Sequence, residues 1–242
     1  MKQKILLITG WGCGIGVLDS FKRALQQQGH DVELIHIFNA FDEQILQHHV
    51  ELAKQFDVIM GWSLGGQLAA LLVAQIEQQD AEQKILMTLA SNPCFVANDT
   101  WQTAMNQHTF QQFKQSFQQD DIATLKKFGY MICQGVKTTK PDFLNLQSLM
   151  QAQEINLLKD GLNLLEQLNV ADILAQYQGL QYHVFAQDDV LVDCKVMDKI
   201  QTLDAKFMQV ELISGSHGFP IFNAEEISDK ICQYLQQIKK TI

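Results

Sequence analysis

A serine flanked by glycines, directly after an apolar run, constrains this chain more than any other feature of its sequence. Residues 58–60 are apolar, and the chain continues as Gly61-Trp62-Ser63-Leu64-Gly65-Gly66, which matches the pattern G-x-S-x-G. Between a strand and a helix, such a serine lies on a sharp turn with its hydroxyl exposed above a sheet. Glycines permit the unusual backbone angles and the close chain contacts of that turn. Because short matches also occur by chance in glycine-rich turns, a catalytic role for Ser63 depends on finding its partners elsewhere.

Apolar runs of strand length alternate with helical patterns along most of the sequence. Strands are predicted at 4–9, 32–38, 57–61, 84–90, 181–186 and 208–213, and helices at 17–28, 42–55, 64–78, 193–202 and 224–239. Continuous apolar strands are typical of a parallel sheet that is buried on both faces. Alternation with helices predicts right-handed crossovers between those strands. The expected fold class is therefore α/β, with a mostly parallel sheet of about six strands flanked by helices.

The stretch 98–170 interrupts this alternation. It is polar and rich in glutamine, with helical periodicity and no convincing strand. Its predicted apolar helix faces consist of Phe110, Phe113 and Phe117, then Ile122, Leu125 and Phe128, and finally Leu157, Leu158, Leu162, Leu165 and Leu168. An insertion after the fourth strand lies above the carboxyl ends of the strands, so we expect a helical cap that covers the Ser63 turn. Residues 1–242 are expected to form one domain that contains this cap.

Composition argues against several classes of protein. Apolar residues make up 47% of the chain and charged residues 19%, which is a globular composition. The net charge of −9 disfavours a general binder of nucleic acid or anionic membranes. Five scattered cysteines without C-x-x-C spacing disfavour a disulfide framework and a structural zinc site. No apolar run approaches membrane-spanning length, and the N-terminus lacks the features of a signal peptide. We expect a cytoplasmic monomer without metal or cofactor.

Two later loops carry the residues that a serine nucleophile needs. Such a serine requires a base in hydrogen-bonding reach, and the base requires an orienting acid. In α/β-hydrolases the chain order is Ser, then Asp or Glu, then His, and catalytic groups gather at the carboxyl ends of parallel strands. Asp188 and Asp189 follow the strand at 181–186, and His217 follows the strand at 208–213. Ser63, Asp189 and His217 are therefore the candidate catalytic residues, with Asp188 as the alternative acid.

The other histidines fit a catalytic or metal-binding role less well. His48 and His49 are adjacent on a predicted helix, so their side chains point in different directions and do not form a metal-binding pair. His183 lies inside a predicted strand, which indicates a structural role. His108 could line the cap.

The glycine-rich segment 10–16 is the expected source of part of an oxyanion hole. Acyl transfer needs two N–H donors, one from the residue after the nucleophile and one from the loop after the first strand, which here are Leu64 and Trp11. A dinucleotide-binding loop is the competing interpretation. The alternating glycines do not fit G-x-G-x-x-G, and no acidic residue ends the second strand at the expected place.

These motifs resemble the α/β-hydrolase superfamily and, more narrowly, the pimeloyl-[acyl-carrier protein] methyl ester esterases of biotin synthesis. The resemblance extends over about residues 4–242, and its segments are Gly61-Trp-Ser-Leu-Gly-Gly66, Leu89-Ala-Ser-Asn-Pro-Cys-Phe95 with Trp101, Gly161-Leu-Asn-Leu-Leu165, Asp189-Val-Leu-Val192 and His217-Gly-Phe-Pro220. It implies Ser63 as nucleophile, Asp189 as acid and His217 as base. It also implies substrate and oxyanion contacts from Trp11 and Leu64, and contacts between the acyl chain and the cap residues Phe128, Tyr130 and Ile132.

The chain departs from the family in three respects. Thr9 stands where family members usually have a histidine before Gly-Trp-Gly, and the sequence begins at the first strand without the usual N-terminal hairpin, so a shorter sheet is expected. Family members use cap arginines to bind the acidic carrier protein. Here the segment 114–140 has five lysines against two aspartates, and Lys126, Lys127, Lys137 and Lys140 are the candidate docking residues. A solvated helix surface would account for the same charges.

The sequence therefore predicts a serine carboxylesterase that hydrolyses the methyl ester of pimeloyl-acyl-carrier protein, with the carrier protein as partner and small esters as further substrates. Because a triad does not distinguish leaving groups, a broad short-acyl esterase or a thioesterase is the alternative. A non-catalytic binding protein with the hydrolase fold is a third hypothesis.

Overall fold

The computed structural model describes residues 2–241, and its centre is a six-stranded sheet. The strands are β1 (Lys4–Ile8), β2 (Asp31–Ile35), β3 (Val58–Trp62), β4 (Ile85–Leu89), β5 (Gln181–Ala186) and β6 (Met208–Ile213). Their order across the sheet is β2-β1-β3-β4-β5-β6, and every neighbouring pair is parallel. The predicted α/β class with a parallel sheet of about six strands is confirmed.

Helices cover both faces of the sheet because both faces are apolar. The helices of the two layers are α1 (Asp19–Gln27), α2 (Glu43–Ala53), α3 (Leu64–Asp80), α8 (Ala171–Gln176), α9 (Lys195–Gln201) and α11 (Ala224–Thr241). Alternate residues of β1 point to opposite sides. Ile5 and Leu7 join a buried cluster with α1 and α11, whereas Leu6 and Ile8 join the cluster of α2, α3, α8 and α9. A short helix, α10 (Phe219–Phe222), precedes α11.

The insertion between β4 and β5 is helical. It contains α4 (Gln107–Gln119), α5 (Asp121–Cys133), α6 (Thr139–Leu149) and α7 (Ile155–Gln167), and these helices are what the sequence predicted as a cap at 98–170. Phe110 and Phe117 are buried as expected, but Ile122 is 77% exposed. Steps of three residues drift around a helix, so Ile122 and Phe128 lie about 120° apart on α5. One apolar face therefore does not include both.

The topology collects the loops of interest at one edge of the sheet. In a parallel sheet the carboxyl ends of all strands point the same way, so the turns after β3, β5 and β6 meet there. Ser63 follows β3, Asp189 follows β5, and His217 follows β6. Within residues 2–241, no helix is both long enough and apolar enough to cross a bilayer.

Candidate active site

The turn between β3 and α3 holds Ser63 in a backbone conformation that side chains rarely adopt. Its φ is 56° and its ψ is −123°. A Cβ atom on Gly61 would lie 2.0 Å from the carbonyl oxygen of Gly65, and a Cβ on Gly65 would lie 2.4 Å from the carbonyl oxygens of Ile8 and Thr9. Backbone atoms on both sides leave no room for any residue except glycine. Strain of this kind persists only where the surroundings enforce it, and it holds the Ser63 hydroxyl in a fixed position.

The Ser63 hydroxyl, His217 and Asp189 form a continuous chain of hydrogen bonds. His217 Nε2 lies 3.0 Å from Ser63 Oγ, and His217 Nδ1 lies 2.8 Å from Asp189 Oδ2. The second carboxylate oxygen of Asp189 accepts the backbone N–H groups of Leu191 at 2.8 Å and Val192 at 2.9 Å. The exposed fractions are 5% for Ser63, 8% for Asp189 and 1% for His217. Four hydrogen bonds therefore fix this arrangement away from bulk water.

Asp188, the alternative acid, has a different position. Its backbone N–H donates to the carbonyl of Gly215 at 3.0 Å, and its own carbonyl packs so closely on Gly135 that a Cβ there would lie 1.9 Å away. Its side chain is half-buried and makes no hydrogen bond with His217. Of the two adjacent aspartates, only Asp189 contacts the imidazole.

The loop that carries His217 is held by contacts that the sequence did not indicate. Trp62 Nε1 donates to the backbone carbonyl of His217 at 3.0 Å, and the two rings lie 5.5 Å apart. The N–H of Gly218 donates to the carbonyl of Ile132 at 3.0 Å. The strand that ends at the serine and the cap helix α5 therefore both fix the backbone on which the imidazole stands.

A small apolar cavity of about 50 Å³ adjoins the Ser63 hydroxyl. Its walls are Trp11, Ser63, Phe95, Met105, Phe110, Phe113, Phe128, Met131, Leu165, Leu191 and His217. Ser63 and His217 are the polar members of this set. An apolar cavity with a few convergent polar groups is the usual form of a small-molecule site.

Of the three cap residues implied to contact an acyl chain, only Phe128 lines this cavity. Tyr130 is 37% exposed and packs edge-on against Phe143, and Ile132 is buried beneath Gly218. The structure therefore does not support the predicted acyl contacts of Tyr130 and Ile132. The physical reason is helical periodicity: residues three apart share a face, so Met131 accompanies Phe128 while the other two point elsewhere. That spacing could have identified Met131 in the sequence.

No protein-family model matches the chain, whereas individual proteins do. It is 27% identical to the pimeloyl-[acyl-carrier protein] methyl ester esterase of Citrobacter koseri, over 98% of this chain and 94% of that protein. It is 26% identical to the biotin biosynthesis bifunctional protein BioHC of Teredinibacter turnerae, over 98% of this chain but only 45% of that protein. A BioHC relative from Cellvibrio japonicus is 27% identical over 88% of this chain and 43% of its own length. The chain thus spans less than half the length of these two bifunctional relatives.

Solved structures resemble the whole chain closely in shape. A bromoperoxidase from Bacillus anthracis matches with a TM-score of 0.81 at 15% identity, covering 98% of this chain and 92% of that one. A hydrolase from Oleispira antarctica matches with a TM-score of 0.79 at 13% identity, covering 97% and 91%. The chain has the α/β-hydrolase fold. The turn at Ser63 joins a strand to a helix, which is where that fold carries its nucleophile elbow.

The two backbone amides predicted as oxyanion donors belong to Leu64 and Trp11. Leu64 is the first residue of α3, so its N–H has no partner within the helix. Trp11 lies in the loop after β1, and its indole Nε1 donates to the carbonyl of Leu158 in α7 at 2.8 Å. The Trp11 ring also lines the cavity. Thr9 is buried, and among residues 2–241 its hydroxyl oxygen has no hydrogen-bond partner, so this side chain does not brace the loop.

The lysines predicted for carrier docking are all on the surface of the cap. Lys126 and Lys127 lie on α5, Lys137 in the following turn and Lys140 on α6, and each is exposed. Lys114, which contributes to the positive balance of this segment, pairs with Glu166 on α7. The positive face is therefore smaller than the sequence indicates.

The remaining histidines lie outside the site. Burial lowers the pKa of His183 to about 3, and this neutral ring is hydrogen-bonded to Thr88 Oγ1 at 2.7 Å inside the sheet. His49 stacks on Phe38, and His108 bonds to Gln112 on its own helix rather than lining the cavity. Within the described part of the chain, no group of three His, Cys, Asp or Glu residues is placed to hold a metal ion.

Proposed function

We propose that the protein is a serine carboxylesterase in which Ser63, His217 and Asp189 form the catalytic triad. The observation that carries this proposal is the hydrogen-bond chain from Asp189 through both nitrogens of His217 to Ser63 Oγ, with contacts of 2.8 and 3.0 Å. It coincides with the strained backbone of Ser63 and with a cavity that opens beside the hydroxyl.

The geometry supports a two-step acyl transfer. His217 Nε2 takes the proton of Ser63 as the oxygen attacks the ester carbonyl, and Asp189 stabilises the imidazolium through Nδ1–H. The backbone N–H groups of Leu64 and Trp11 would stabilise the oxyanion. Loss of one such donor typically lowers kcat by about 10²–10³-fold. The imidazolium then protonates the methoxy oxygen as its bond to the carbonyl carbon breaks, and methanol leaves. Water, deprotonated by the same imidazole, hydrolyses the acyl-enzyme and regenerates Ser63.

For the physiological substrate we propose the methyl ester of a pimeloyl group on acyl-carrier protein. The supporting evidence is the set of relatives named as pimeloyl-[acyl-carrier protein] methyl ester esterases, with 24–27% identity over nearly the whole chain. The exposed lysines Lys126, Lys127, Lys137 and Lys140 offer a positive surface on a protein of net charge −9. An acidic carrier protein would be attracted there.

A broad short-acyl esterase or thioesterase is the second candidate. The specific observation in its favour is the cavity volume of about 50 Å³, which accommodates a few water molecules rather than a long chain. Short acyl groups therefore fit the cavity as it stands, whereas a pimeloyl group requires side chains of the cap to move.

The triad is tested with a fluorophosphonate probe and mass spectrometry of the labelled peptide. We expect label on Ser63 in the wild type, and a labelling rate reduced by about 10³-fold or more in His217→Ala, because the base is lost. His108→Ala is the matched control, since that ring lies outside the cavity. An unlabelled Ser63, or labelling of His217→Ala at the full rate, contradicts the esterase mechanism and favours a non-catalytic binding protein.

The substrate is tested by comparing methyl-pimeloyl carrier protein with free methyl butyrate. We expect the carrier-bound ester to have the higher kcat/KM, and the double variant Lys126→Glu/Lys127→Glu to lose that advantage while it hydrolyses the free ester normally. Lys206→Glu is the control, because this exposed lysine precedes β6 and so lies at the opposite end of the sheet from the cap. If the carrier-bound ester has no advantage in the wild type, the short-acyl alternative is correct.

A further inference from the structure

A groove on the outer side of the cap runs between α4 and α5 and has a volume of about 480 Å³. Its lining consists of Met105, Thr109, Gln112, Phe113, Gln115, Ser116, Gln119, Thr124, Lys127 and Met131. Met105, Phe113 and Met131 also line the cavity at Ser63. The same three side chains therefore form the wall between the groove and the catalytic cavity.

These three side chains are suited to move aside. Each is only partly buried, and two are methionines, whose unbranched side chains have three rotatable bonds and repack easily. The cavity behind them is too small for an acyl chain, so one of its walls must yield before a substrate longer than a short ester can enter.

The other side of α5 carries a groove that lacks this connection to the cavity. This second groove is lined by Leu125, Met150 and Leu158, together with other residues that do not include a member of the cavity wall. Trp11 closes that direction, since its indole is hydrogen-bonded to the carbonyl of Leu158 and packed edge-on against Phe128.

The two compartments differ in chemistry. The cavity is lined by apolar side chains apart from Ser63 and His217, whereas the outer groove carries three glutamine amides and three hydroxyls, with Lys127 as its charged side chain. Amides and hydroxyls donate and accept hydrogen bonds, and a lysine attracts an anion. A ligand with an apolar end and an amide-containing, anionic remainder matches these two compartments, with the apolar end in the cavity and the remainder in the groove.

We propose that substrate reaches Ser63 through the α4–α5 groove, that Met105, Phe113 and Met131 form its gate, and that the groove binds the amide-containing anionic arm to which the acyl group is attached. This rests on the proposed function, because it assigns the groove to the substrate of the same catalytic site. The phosphopantetheine arm of a carrier protein has the required chemistry: two amides, a hydroxyl and a phosphate.

The gate is tested by changing its size in both directions. Met131→Ala should raise kcat/KM for p-nitrophenyl octanoate relative to the acetate by about tenfold, equivalent to roughly 1.4 kcal/mol, and Met131→Trp should lower the same ratio. Met150→Ala is the matched control, since it removes a partly buried cap methionine that lines the other groove. If the Met131 variants leave the ratio unchanged, or Met150→Ala shifts it equally, the gate is refuted. Met131→Trp alone still decides the question should Met131→Ala fail to fold.

The polar groove is tested with the methyl-pimeloyl group on free phosphopantetheine, without carrier protein. Gln115→Glu places a negative charge in the groove, so the KM for this substrate should rise by about fivefold or more with little change in kcat. Gln118→Glu, an exposed position on the same helix outside the groove, should leave KM within about twofold. Equal effects of the two variants, or none, refute the groove assignment.

Fluorophosphonate labelling separates the two failures. If Ser63 is labelled in every variant while the ratios and KM values do not move, only the route is wrong. If Ser63 is labelled in none of them, the proposed function itself fails.

Discussion

Replacing Asp189 by asparagine changes one atom of the hydrogen-bond chain and should nearly abolish activity. The reason lies in the two backbone N–H groups of Leu191 and Val192 that the carboxylate accepts on Oδ1. In Asp189→Asn, the amide oxygen must stay on that side, since an NH₂ group there would face two donors. The NH₂ group then points at His217 Nδ1, which can only accept. The ring proton moves to Nε2, beside Ser63 Oγ, where the base should be.

The size of the effect follows from the cost of the opposite orientation. Turning the amide round would leave the buried N–H of Val192 and the partly buried N–H of Leu191 without acceptors, at about 1–3 kcal/mol each. The catalytic tautomer is therefore disfavoured by about 2–6 kcal/mol, which corresponds to a loss of activity between about 30-fold and 10⁴-fold. The same substitution in a serine-protease triad costs about 10⁴ in kcat, at the upper end of this range.

The assay is hydrolysis of p-nitrophenyl acetate at pH 8, with kcat and KM measured separately. Asp188→Asn is the matched control, since it is the adjacent residue and its side chain does not contact His217. Thermal unfolding of both variants checks that the fold is intact. A loss of less than tenfold for Asp189→Asn, or an equal loss for Asp188→Asn, would refute the reasoning about the tautomer.

Three further predictions concern the framework of the site and the interior of the sheet. Gly61→Ala places a Cβ atom 2.0 Å from a backbone oxygen, so we expect a loss of about 3 kcal/mol or more in the free energy of unfolding. At Gly129 an added Cβ would meet only side-chain atoms, the nearest being a methionine sulfur at 3.3 Å, so Gly129→Ala should change that free energy much less. Equal losses in the two variants would contradict the argument. Trp62→Phe leaves the buried carbonyl of His217 without its donor. The free energy of unfolding, measured by urea denaturation, should fall by about 1–3 kcal/mol, and kcat should fall as well. An unchanged kcat would show that this bond does not position the imidazole. Because burial lowers the pKa of His183 from 6.5 to about 3, the unfolded chain binds its proton first, and stability is lost as pH falls from about 6.5 towards 3. At pH 4.5 the loss is about 3 kcal/mol relative to pH 8, and in urea titrations His183→Gln should remove that part of the pH dependence.

Much of the fold follows from local sequence patterns. The strands at 181–186 and 208–213 have the bounds that their apolar runs predict, and the other four shift by a few residues at their ends. Short helices such as α8 and α10, and the polar helix α6, were not predicted because one or two turns, or a weak apolar stripe, produce little periodic signal.

How well a site residue could be predicted depended on how far from it in the sequence its contact partners lie. Ser63, an aspartate pair and His217 could be selected because motif order and strand-end position are properties of the chain itself. Motif order and strand-end position do not distinguish Asp188 from Asp189. Which of two adjacent side chains turns towards the imidazole is decided by the backbone bonds around it, including the one from Asp188 to Gly215.

The cap shows more strongly which features follow from the local sequence and which follow from tertiary packing. The sequence by itself determined that this stretch is helical and amphipathic, since periodicity is a local property. Only the tertiary structure decided that the face of α5 with Phe128 and Met131 lines the cavity at Ser63, and that Lys114 is paired with Glu166, which is 52 residues away. Those outcomes depend on how α4, α5 and α7 pack against the sheet. Packing between distant segments cannot be deduced from the apolar periodicity within each helix.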